Sequence, residues 1–336
     1  MARGGADSGG GWGGTGVLLS LVSASTFSTS GSFATSLTQA GWSPGAAVAA
    51  RVCLAAVILT LPAILQLRRH WPSLRAESPA ALRRSATMVG FFGLVAVAAC
   101  QLCFFEAVDR LSVGVALMLE YLGIVLVVLW VWLRHGQTPR PLTIAGSLGA
   151  LIGLAFVLDL ASGPRLDPIG VLWGLCAAVG LAVFYVLSAR ADEPLPPIAM
   201  AWSAMTVGSV ALLVAGAVGL LPLHAVFGPV HFARHTTSWV VPVLGLSLVA
   251  AALSYVAGIG AARRLGARLA SFLGLTEVLF AVLFAWLLLG QLPGRMQLFG
   301  GALIVAGVAL VRIDELRSPS GAEASTSELS SVEAGV

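Results

Sequence analysis

The stretch RLSVGVALMLEYLGIVLVVLWVWLRHGQ, from Arg110 to Gln137, decides the fold, because it recurs as RLGARLASFLGLTEVLFAVLFAWLLLGQ from Arg264 to Gln291. The two copies lie 154 residues apart and align without a gap. Identical positions include Arg110/Arg264, Leu111/Leu265, Leu119/Leu273, Trp132/Trp286, Gly136/Gly290 and Gln137/Gln291, and the register continues to Gly146/Gly300 and Gly153/Gly307. Both copies are almost wholly apolar, and each holds one acid, Glu120 or Glu277. A duplicated apolar unit with an embedded acid is typical of a membrane transporter built from two repeats.

The composition indicates a chain that lies in a lipid bilayer. Hydrophobic residues make up 58% of the 336 residues and charged residues only 10%, and the mean hydropathy is +0.94. Globular soluble domains average about 25% charged residues. Because a membrane-spanning helix needs about 20 apolar residues, the apolar runs are numerous enough for ten spans. The composition therefore predicts an all-α membrane protein with ten transmembrane helices.

Breakers rich in Gly and Pro, among them Pro72 after the second helix, separate the predicted helices. The helices are expected at 16–38, 44–67, 86–107, 111–133, 140–160, 168–189, 196–220, 239–262, 267–289 and 295–313. They form two five-helix repeats, over residues 16–161 and 166–313. The Gly-rich segment 1–15 and the Ser- and Glu-rich segment 314–336 are expected to be disordered tails.

The arginines predict the orientation, since cytoplasmic loops carry an excess of basic residues. The chain has no Lys, and with a cytoplasmic N-terminus 14 of its 19 arginines fall on the cytoplasmic side and 4 on the outer side. Arg51 lies within the second helix. The pattern predicts a multi-pass protein of a bacterial-type plasma (inner) membrane with both termini cytoplasmic. Five helices per half then make the two repeats inverted relative to each other, an arrangement that commonly supports alternating access.

Glu120 and Glu277 are predicted near the middle of the membrane. At 1.5 Å per residue, Glu120 lies roughly 13 Å from the outer end of helix four, and Glu277 lies roughly 15 Å from the inner end of helix nine. An acid at that depth costs about 2.5–3.5 kcal/mol on insertion scales, so a cavity, a partner or protonation must offset it. Either the acids line the transport path and bind a cationic group or a coupling proton, or they are protonated side chains that only pack.

Arg51 is the third ionisable residue within a predicted span, roughly 10 Å from the outer end of helix two. Its guanidinium could hold a carboxylate or phosphate of the substrate by a bidentate contact. We favour two structural alternatives: an ion pair with Glu120, or a side chain that extends outward along the helix to the interface.

Helix one is unusually rich in hydroxyl groups, with eleven Ser and Thr residues between Ser20 and Thr38. They can bond back to helix carbonyls or line a watery cavity, and the second interpretation is preferred. Helix six, the equivalent helix of the second repeat, offers aromatic residues instead. The predicted substrate and proton path is lined by Glu120, Glu277, Arg51, Tyr121, Ser28, Ser32, Trp173 and Tyr185.

We expect no cofactor, no metal site and no catalytic residue. Cys100 and Cys103 have the spacing of a redox or metal motif, but inside an apolar helix they are interpreted as packing residues. His231 and His235 have i,i+4 spacing in an outer loop, with no third ligand in view. The basic residues lie in separate loops rather than in one patch, which argues against a nucleic-acid partner.

The pattern resembles the EamA-type branch of the drug/metabolite transporter superfamily over residues 16–313. Repeats of that branch end in a helix, a short Gly-Glu turn and a Gly-spaced final helix. Here the turns read Gly136-Gln137 and Gly290-Gln291, so Gln replaces the usual Glu in both. The stretch ARVCLAAVIL, residues 50–59, is similar to the Arg-aromatic-x-x-Ala element of the family, with Arg51 in the Arg position.

A narrower resemblance links the run LEYLG, residues 119–123, to the threonine/homoserine exporter group, which carries Leu-Glu-Phe-x-Gly there. That group often shows Glu-Pro in its second half, where this chain has Glu277-Val278. The resemblance implies a transporter of small metabolites, and an amino acid is one candidate substrate.

The residues and the resemblance together predict a secondary transporter that exports a small metabolite by alternating access. Its expected partners are a small-molecule substrate, the lipid bilayer and coupling protons. An uncoupled facilitator, a flippase or a drug exporter of the same fold stays open as an alternative. A membrane-embedded enzyme is disfavoured because no HExxH motif or buried nucleophile cluster is visible, and a passive scaffold would not need paired acids.

Overall fold

A computed structural model of the chain describes residues 11–111, 113–136, 140–157, 167–190, 194–232, 235–289 and 294–316. Gln137, Gly290 and Gln291 of the two predicted turns lie outside these residues, as do 1–10 and 317–336 of the predicted tails. The described residues are mainly helical, with connecting loops and one two-stranded antiparallel hairpin.

The described part of the first half folds into eight α-helices and one π-helical segment. These are α1 (Gly11–Phe27), α2 (Ser30–Gln39), α3 (Pro44–Ala76), α4 (Pro79–Phe92), π1 (Gly93–Ala99), α5 (Cys100–Arg110), α6 (Val113–Tyr121), α7 (Gly123–His135) and α8 (Pro141–Val157).

The second half, within the described ranges, has six α-helices, a second π-helical segment and the hairpin. These are α9 (Pro168–Ser188), α10 (Pro197–Ala217), β1 (Pro229–Phe232), β2 (His235–Ser238), α11 (Val240–Leu244), π2 (Gly245–Leu253), α12 (Ser254–Gly274), α13 (Thr276–Leu289) and α14 (Arg295–Leu316). The first described helix thus begins at Gly11 and the last extends to Leu316, both inside segments expected to be tails.

Most of the helical segments have the length and apolarity of membrane spans. Seven described segments reach the length needed: Gly14–Gln39, Pro44–Ala76, Pro79–Val108, Ala116–Arg134, Pro168–Ser188, Pro197–Ala217 and Val240–Gly274. Pro141–Phe156 and Leu298–Val311 are shorter apolar helices. Large apolar side chains such as Leu61, Leu133 and Ile169 are exposed, as expected for a surface solvated by lipid. The prediction of an all-α membrane protein is confirmed.

The second helix is longer than predicted, because Pro72 does not end it. α3 continues to Ala76 with Pro72 inside. A proline leaves the carbonyl four residues earlier without its helical donor, and the residues around Pro72 are exposed, where water can supply one. The helix stops before Ser78, whose hydroxyl accepts a hydrogen bond from the Ala81 amide, and Pro79 then starts α4.

Helices four and nine, predicted as continuous, are each interrupted near the middle. α6 and α7 are separated at Leu122, and α12 and α13 are separated at Leu275. Glu120 lies two residues before the first interruption, and Glu277 lies two residues after the second. Interrupted backbone at membrane depth is tolerated where it is buried in protein or lines a cavity. The interruptions therefore place both acids at the broken middle of equivalent helices.

Helix one is also divided, between Phe27 and Ser30. The hydroxyls of Thr26, Ser28 and Thr29 each donate a hydrogen bond of 2.7 Å to a carbonyl three or four residues earlier. Such back-bonding competes with the backbone ladder and bends helices. The hydroxyl-rich composition thus explains a bend at the middle of the first span.

The third helix of each repeat contains a π-helical segment at an equivalent place. π1 and π2 begin 152 residues apart and end 154 residues apart, which matches the repeat spacing of the sequence. A second irregularity follows in the second repeat, where Gly266 has φ 77° and ψ 163° inside α12. That left-handed backbone, which glycine adopts readily, separates the eighth predicted helix from the ninth.

The last helices of the two repeats, α8 and α14, cross through four glycines. A Cβ atom on Gly146 would lie 2.7 Å from the Gly307 carbonyl oxygen, and one on Gly153 would lie 2.6 Å from the Gly300 carbonyl oxygen. The order of the contacts is reversed along the two helices, so α8 and α14 run antiparallel. Close approach through glycines of this kind is a common way for membrane helices to pack.

Equivalent helices of the two repeats also pair elsewhere. α3 packs against α10, and both are second helices of their repeat. The first helix of each repeat lies against the third and fourth helices of the other: α9 packs against α5, α6 and α7, and α1 packs against α12 and α13. The middle of the bundle therefore lies between α1, α9 and the two interrupted helices.

The glycine crossing generates a stability prediction. Gly146→Ala is expected to lower the melting temperature of the purified protein, because the added methyl group meets the Gly307 carbonyl and overpacking costs about 1–3 kcal/mol. Gly149→Ala is the matched control on the same helix, since nothing lies within 4 Å of its added Cβ atom. The crossing would be disproved by equal melting temperatures of the two variants.

Candidate functional site

A large cavity with many polar residues in its wall opens at one end of the bundle. It has a volume of about 770 Å³, and we call it the vestibule. Its walls come from α2, the start of α3, α5, α6, α13 and the hairpin residue His231. Six hydroxyl residues of the first predicted helix line it: Ser28, Ser30, Ser32, Thr35, Ser36 and Thr38.

A second, smaller cavity lies deeper in the bundle, and we call it the central cavity. Its volume is about 60 Å³. Glu120 and Glu277 both line it, together with Tyr121 and Tyr185. The other polar or ionisable residues in its wall are Ser20, Ser23, Cys100, Gln101, Ser254 and Tyr255. The two acids that the sequence places in separate repeats thus meet at one small site.

Three residues belong to the walls of both cavities: Phe27, Gln101 and Glu277. Phe27 is the last residue of α1, next to the bend in the first span. Gln101 lies on α5 just after π1, and Glu277 lies just after the interruption before α13. These residues form the boundary between the vestibule and the central cavity.

Glu120 is held deep in the protein, with 5% of its surface exposed. The Cys100 thiol donates a weak hydrogen bond to its Oε1 atom at 3.7 Å, and the same sulfur lies 3.4 Å from the Ala177 carbonyl oxygen. A thiol is a weak donor and does little to offset the cost of burying a carboxylate. Among the described residues, Glu120 makes no ion pair.

Tyr121, next to Glu120, carries a buried hydroxyl. The residue is 3% exposed, and its hydroxyl has no hydrogen-bond partner among the described residues. It lies beside the Glu277 carboxylate, close enough to interact with it, but the two groups do not meet in hydrogen-bond geometry. Buried polar groups normally have a hydrogen-bond partner, and this hydroxyl is an exception among the described residues.

Arg51 is 1% exposed and sits behind the boundary residues. One of its terminal nitrogens, Nη1, donates to the Gln101 Oε1 atom at 2.7 Å and to the Ser30 Oγ atom at 3.1 Å. The other, Nη2, donates to the Ala250 carbonyl oxygen at 2.7 Å. Its guanidinium carbon lies 4.9 Å from the ring centre of Phe27, within the range of a cation–π contact.

Both structural alternatives for Arg51 are therefore replaced by a third arrangement. The side chain does not extend to the interface, since it is buried, and it forms no ion pair with Glu120. It remains close enough to both acids for electrostatic attraction. Instead it fixes Gln101 and Phe27, two of the three residues at the boundary between the cavities.

Aromatic rings form one side of the central cavity. Phe184 contacts Tyr185 and Tyr255 edge to face, at ring-centre distances of 5.2 Å and 5.4 Å, a favourable geometry for aromatic pairs. The Tyr185 hydroxyl lies directly against Gly274, and the Phe184 ring lies against Gly258. An added Cβ atom at Gly274 would overlap the Tyr185 hydroxyl, and one at Gly258 would lie 2.9 Å from the Ser23 hydroxyl and 3.0 Å from the Phe184 ring.

α1 and α12 form one wall of the central cavity and stay in contact beyond it, on the side away from the vestibule. The Ser23 hydroxyl donates to the Ser254 carbonyl at 2.9 Å, and the Ser254 hydroxyl donates to the Ser23 carbonyl at 3.1 Å. Further along, a Cβ atom on Gly16 would lie 2.8 Å from the Leu265 side chain. The two helices therefore touch closely from the cavity to the end of the bundle opposite the vestibule.

This geometry agrees with what the sequence matches among known proteins. The model of the EamA-like transporter family matches twice, over residues 14–159 and 168–313. The chain belongs to the EamA-like transporter family. The two matches coincide with the two repeats of the sequence and together cover most of the chain.

Two further likenesses accompany the family match. An uncharacterized transporter of Archaeoglobus fulgidus is 28% identical over 231 residues, which cover 68% of this chain and 77% of that protein. A crystal structure of a protein has the same fold, with a TM-score of 0.71 at 20% identity, covering 91% of this chain and 99% of the other. The expected resemblance to the EamA family is confirmed.

Seven of the eight predicted path residues lie at or next to the two cavities of this EamA-like transporter. Glu120, Tyr121 and Tyr185 line the central cavity, and Glu277 lines both cavities. Ser28 and Ser32 line the vestibule. Arg51 supports their boundary from behind. Trp173 does not belong to either wall and is half-buried on α9.

Sequence reasoning missed several residues of the EamA-like cavities. Gln101 could have been found, since it is a polar amide in the apolar run 86–107. Phe27, Phe184 and Tyr255 gave no such signal, because aromatic residues are common throughout membrane helices. Only the bend after Phe27 and the crossing of α9 with α12 bring these rings to the acids.

The remaining motifs have other places in the fold. Cys100 lines the central cavity, whereas Cys103 is buried in the protein interior outside that wall. His231 and His235 lie on the two strands of the hairpin rather than on a helix, so they lack i,i+4 geometry. Among the described residues there is no group of three residues able to hold a metal ion.

The Arg51 network generates a second stability prediction. Arg51→Lys is expected to lower the melting temperature, because one ammonium group cannot reach Ser30, Gln101 and Ala250 together. Each buried acceptor left without a donor costs about 1–3 kcal/mol. Arg110→Lys is the matched control, since Arg110 is partly exposed and pairs with Glu106 at 2.6 Å, and such surface pairs contribute about 0–1 kcal/mol. Similar losses in both variants would contradict the network.

Proposed function

We propose that this EamA-like transporter is a plasma-membrane secondary carrier that exports a small metabolite by alternating access. The substrate binds in the central cavity, where Glu120 and Glu277 meet at the broken middle of two equivalent helices. The single observation that carries the proposal is this meeting of two acids in a cavity that α1 and α12 wall on one side and that leads to an open vestibule on the other.

The two sides of the cavity support an alternating mechanism. On one side, Phe27, Gln101 and Glu277 line both the cavity and the vestibule. On the other side, α1 and α12 are joined by reciprocal Ser23 and Ser254 hydrogen bonds. A carrier must have such a closed side, and it must be able to open. Hydroxyl bonds to backbone carbonyls, without an ion pair, are weak enough to break in each cycle.

The positions of the arginines support an orientation of the protein in the membrane. Arg68 and Arg69 lie far along α3 from Pro44, which lines the vestibule, and Arg264 lies against Gly16 near the start of α1. Basic residues favour the cytoplasmic side. We therefore assign the closed end to the cytoplasm and the vestibule to the outside, with both termini cytoplasmic.

The packing of α8 and α14 supports inverted repeats. Gly146 and Gly300 are equivalent in the sequence, as are Gly153 and Gly307. Gly146 meets Gly307, and Gly153 meets Gly300, so each glycine meets the partner of the other. This exchange is what a twofold axis between two copies of opposite direction produces. Two copies of opposite direction can exchange conformations and so open the other side.

A disulfide trap tests alternating access. In Ser23→Cys/Ser254→Cys the new sulfurs lie within bonding reach, since the hydroxyl oxygens are 3.3 Å apart, and oxidation should hold the closed side shut. We expect flux into proteoliposomes to fall to background on oxidation and to return on reduction. The substrate is taken from a metabolite profile of cells that overproduce the protein.

The trap is built in a background in which the native cysteines Cys53, Cys100, Cys103 and Cys176 are replaced by Ala. The flux of that background, whose Cys100→Ala change touches the cavity, is measured first. Each single cysteine variant serves as a control and should be insensitive to oxidation. Unchanged flux in the oxidised double variant, with the disulfide verified by mass spectrometry, would rule out opening on this side.

Proton coupling is the second part of the proposal and rests on the same two acids. We expect flux in proteoliposomes to be faster with a pH gradient than without one, and Glu120→Gln and Glu277→Gln to remove that difference. Folded yield is measured in parallel to separate path residues from packing residues. Equal rates with and without the gradient would instead favour the uncoupled facilitator.

A further inference from the structure

We propose that the central cavity recognises the ammonium group of a monovalent organic cation, rather than an amino acid or an anion. This inference rests on the proposed transport function, because it names the substrate class of the same site. It follows from the charges around the cavity, from the Tyr121 hydroxyl and from the aromatic wall.

The charges around the cavity do not balance. Two carboxylates, Glu120 and Glu277, line it, and no described residue in its wall is basic. The nearby positive charge is Arg51, which is close enough to both acids for electrostatic attraction. With both carboxylates ionised, the site carries two negative charges against the single guanidinium of Arg51. A proton or a cationic ligand then restores the balance of charge.

Arg51 is not free to bind a substrate carboxylate. Its two terminal nitrogens already donate to Gln101, Ser30 and the Ala250 carbonyl, and Phe27 lies against its guanidinium. Only 1% of the residue is exposed. A zwitterionic amino acid would therefore bring a carboxylate beside two acids with no described basic partner in the wall. This arrangement disfavours the amino acid that the sequence resemblance offered as a candidate.

The Tyr121 hydroxyl adds a polar group to the site beside the Glu277 carboxylate. It is buried, and it makes no hydrogen bond of full geometry with a described residue. A hydroxyl can accept a hydrogen bond as well as donate one. An ammonium group seated between Glu120 and Glu277 would donate to both carboxylates and to this oxygen.

The walls of the cavity suit a cation in a second way. Phe27, Phe184, Tyr185 and Tyr255 surround the acids, and aromatic faces attract ammonium groups by cation–π interaction. The volume of about 60 Å³ has room for an ammonium head, since a cavity of about 10–15 Å³ already holds a water molecule. The rest of the substrate would extend past Phe27 into the hydroxyl-lined vestibule.

A matched ligand series tests the charge requirement on the full-length protein in nanodiscs. Benzylammonium, benzyl alcohol, phenylglycine and benzoate share one ring and differ in charge: cation, neutral, zwitterion and anion. Binding is measured by isothermal titration calorimetry. We expect benzylammonium to bind at least about tenfold more tightly than each of the others, since a hydrogen bond to a charged group is worth roughly a factor of ten or more.

Three variants assign the effect to the cavity. Glu120→Gln and Glu277→Gln should each weaken benzylammonium binding by about tenfold or more and leave benzyl alcohol unchanged. Tyr121→Phe should weaken it by a smaller factor. Glu106→Gln is the matched control, because Glu106 is partly exposed on α5 and pairs with Arg110. This variant should bind benzylammonium as tightly as the original protein. Circular dichroism and size-exclusion chromatography report whether each variant is folded.

The ligand series on the unaltered protein decides the matter even where a variant fails to fold. Binding of benzyl alcohol, phenylglycine or benzoate as tight as that of benzylammonium would overturn the proposal. Equal discrimination in both folded Glu→Gln variants would also overturn it. A flux measurement distinguishes failure of the transport proposal from failure of the cation-site proposal. Selective cation binding without flux refutes the transport proposal alone, whereas flux of other metabolites without cation preference refutes the cation site alone.

Discussion

An ionisable side chain in the middle of a bilayer must have a partner or reach water, and three such side chains meet in this protein. Arg51 donates hydrogen bonds to Gln101, Ser30 and a backbone carbonyl. Glu120 and Glu277 make no ion pair with a described residue and instead face a cavity. Burying these groups costs free energy. The helices are interrupted beside each acid, and the cavity between the acids offsets part of that cost.

The rest of the architecture follows from that requirement. The interruptions at Leu122 and Leu275 lie beside the acids, and Phe27, at the interruption of the first span, lies at the boundary towards the vestibule. Glycines at the periphery let α8 and α14 pack closely, which leaves the irregular backbone to the interior, where a membrane protein tolerates it. The crossing of α8 and α14 is thus separate from the interrupted helices that line the two cavities.

The sequence predicted the fold class and the family because both depend on long apolar runs and on a repeat that survives at the level of single residues. It also indicated the acids and the hydroxyl-rich helix, since polar side chains are conspicuous in an apolar run. The arrangement around Arg51 could not be predicted, because it depends on contacts with Gln101 and Ala250, residues far away in the sequence. Trp173 was predicted in the path only because it lies on the helix equivalent to helix one. Its side of α9 does not belong to either cavity wall.

Whether Glu120 and Glu277 face water or lipid is the point on which the account depends, and carbodiimide modification measures it directly. The full-length protein in sealed vesicles is treated with a water-soluble or a lipid-soluble carbodiimide, and the modified residues are identified by mass spectrometry. The account predicts that the water-soluble reagent modifies Glu277, which lines both cavities, and that benzylammonium protects it. Modification of both acids by the lipid-soluble reagent alone, without protection, would contradict a cavity between the repeats.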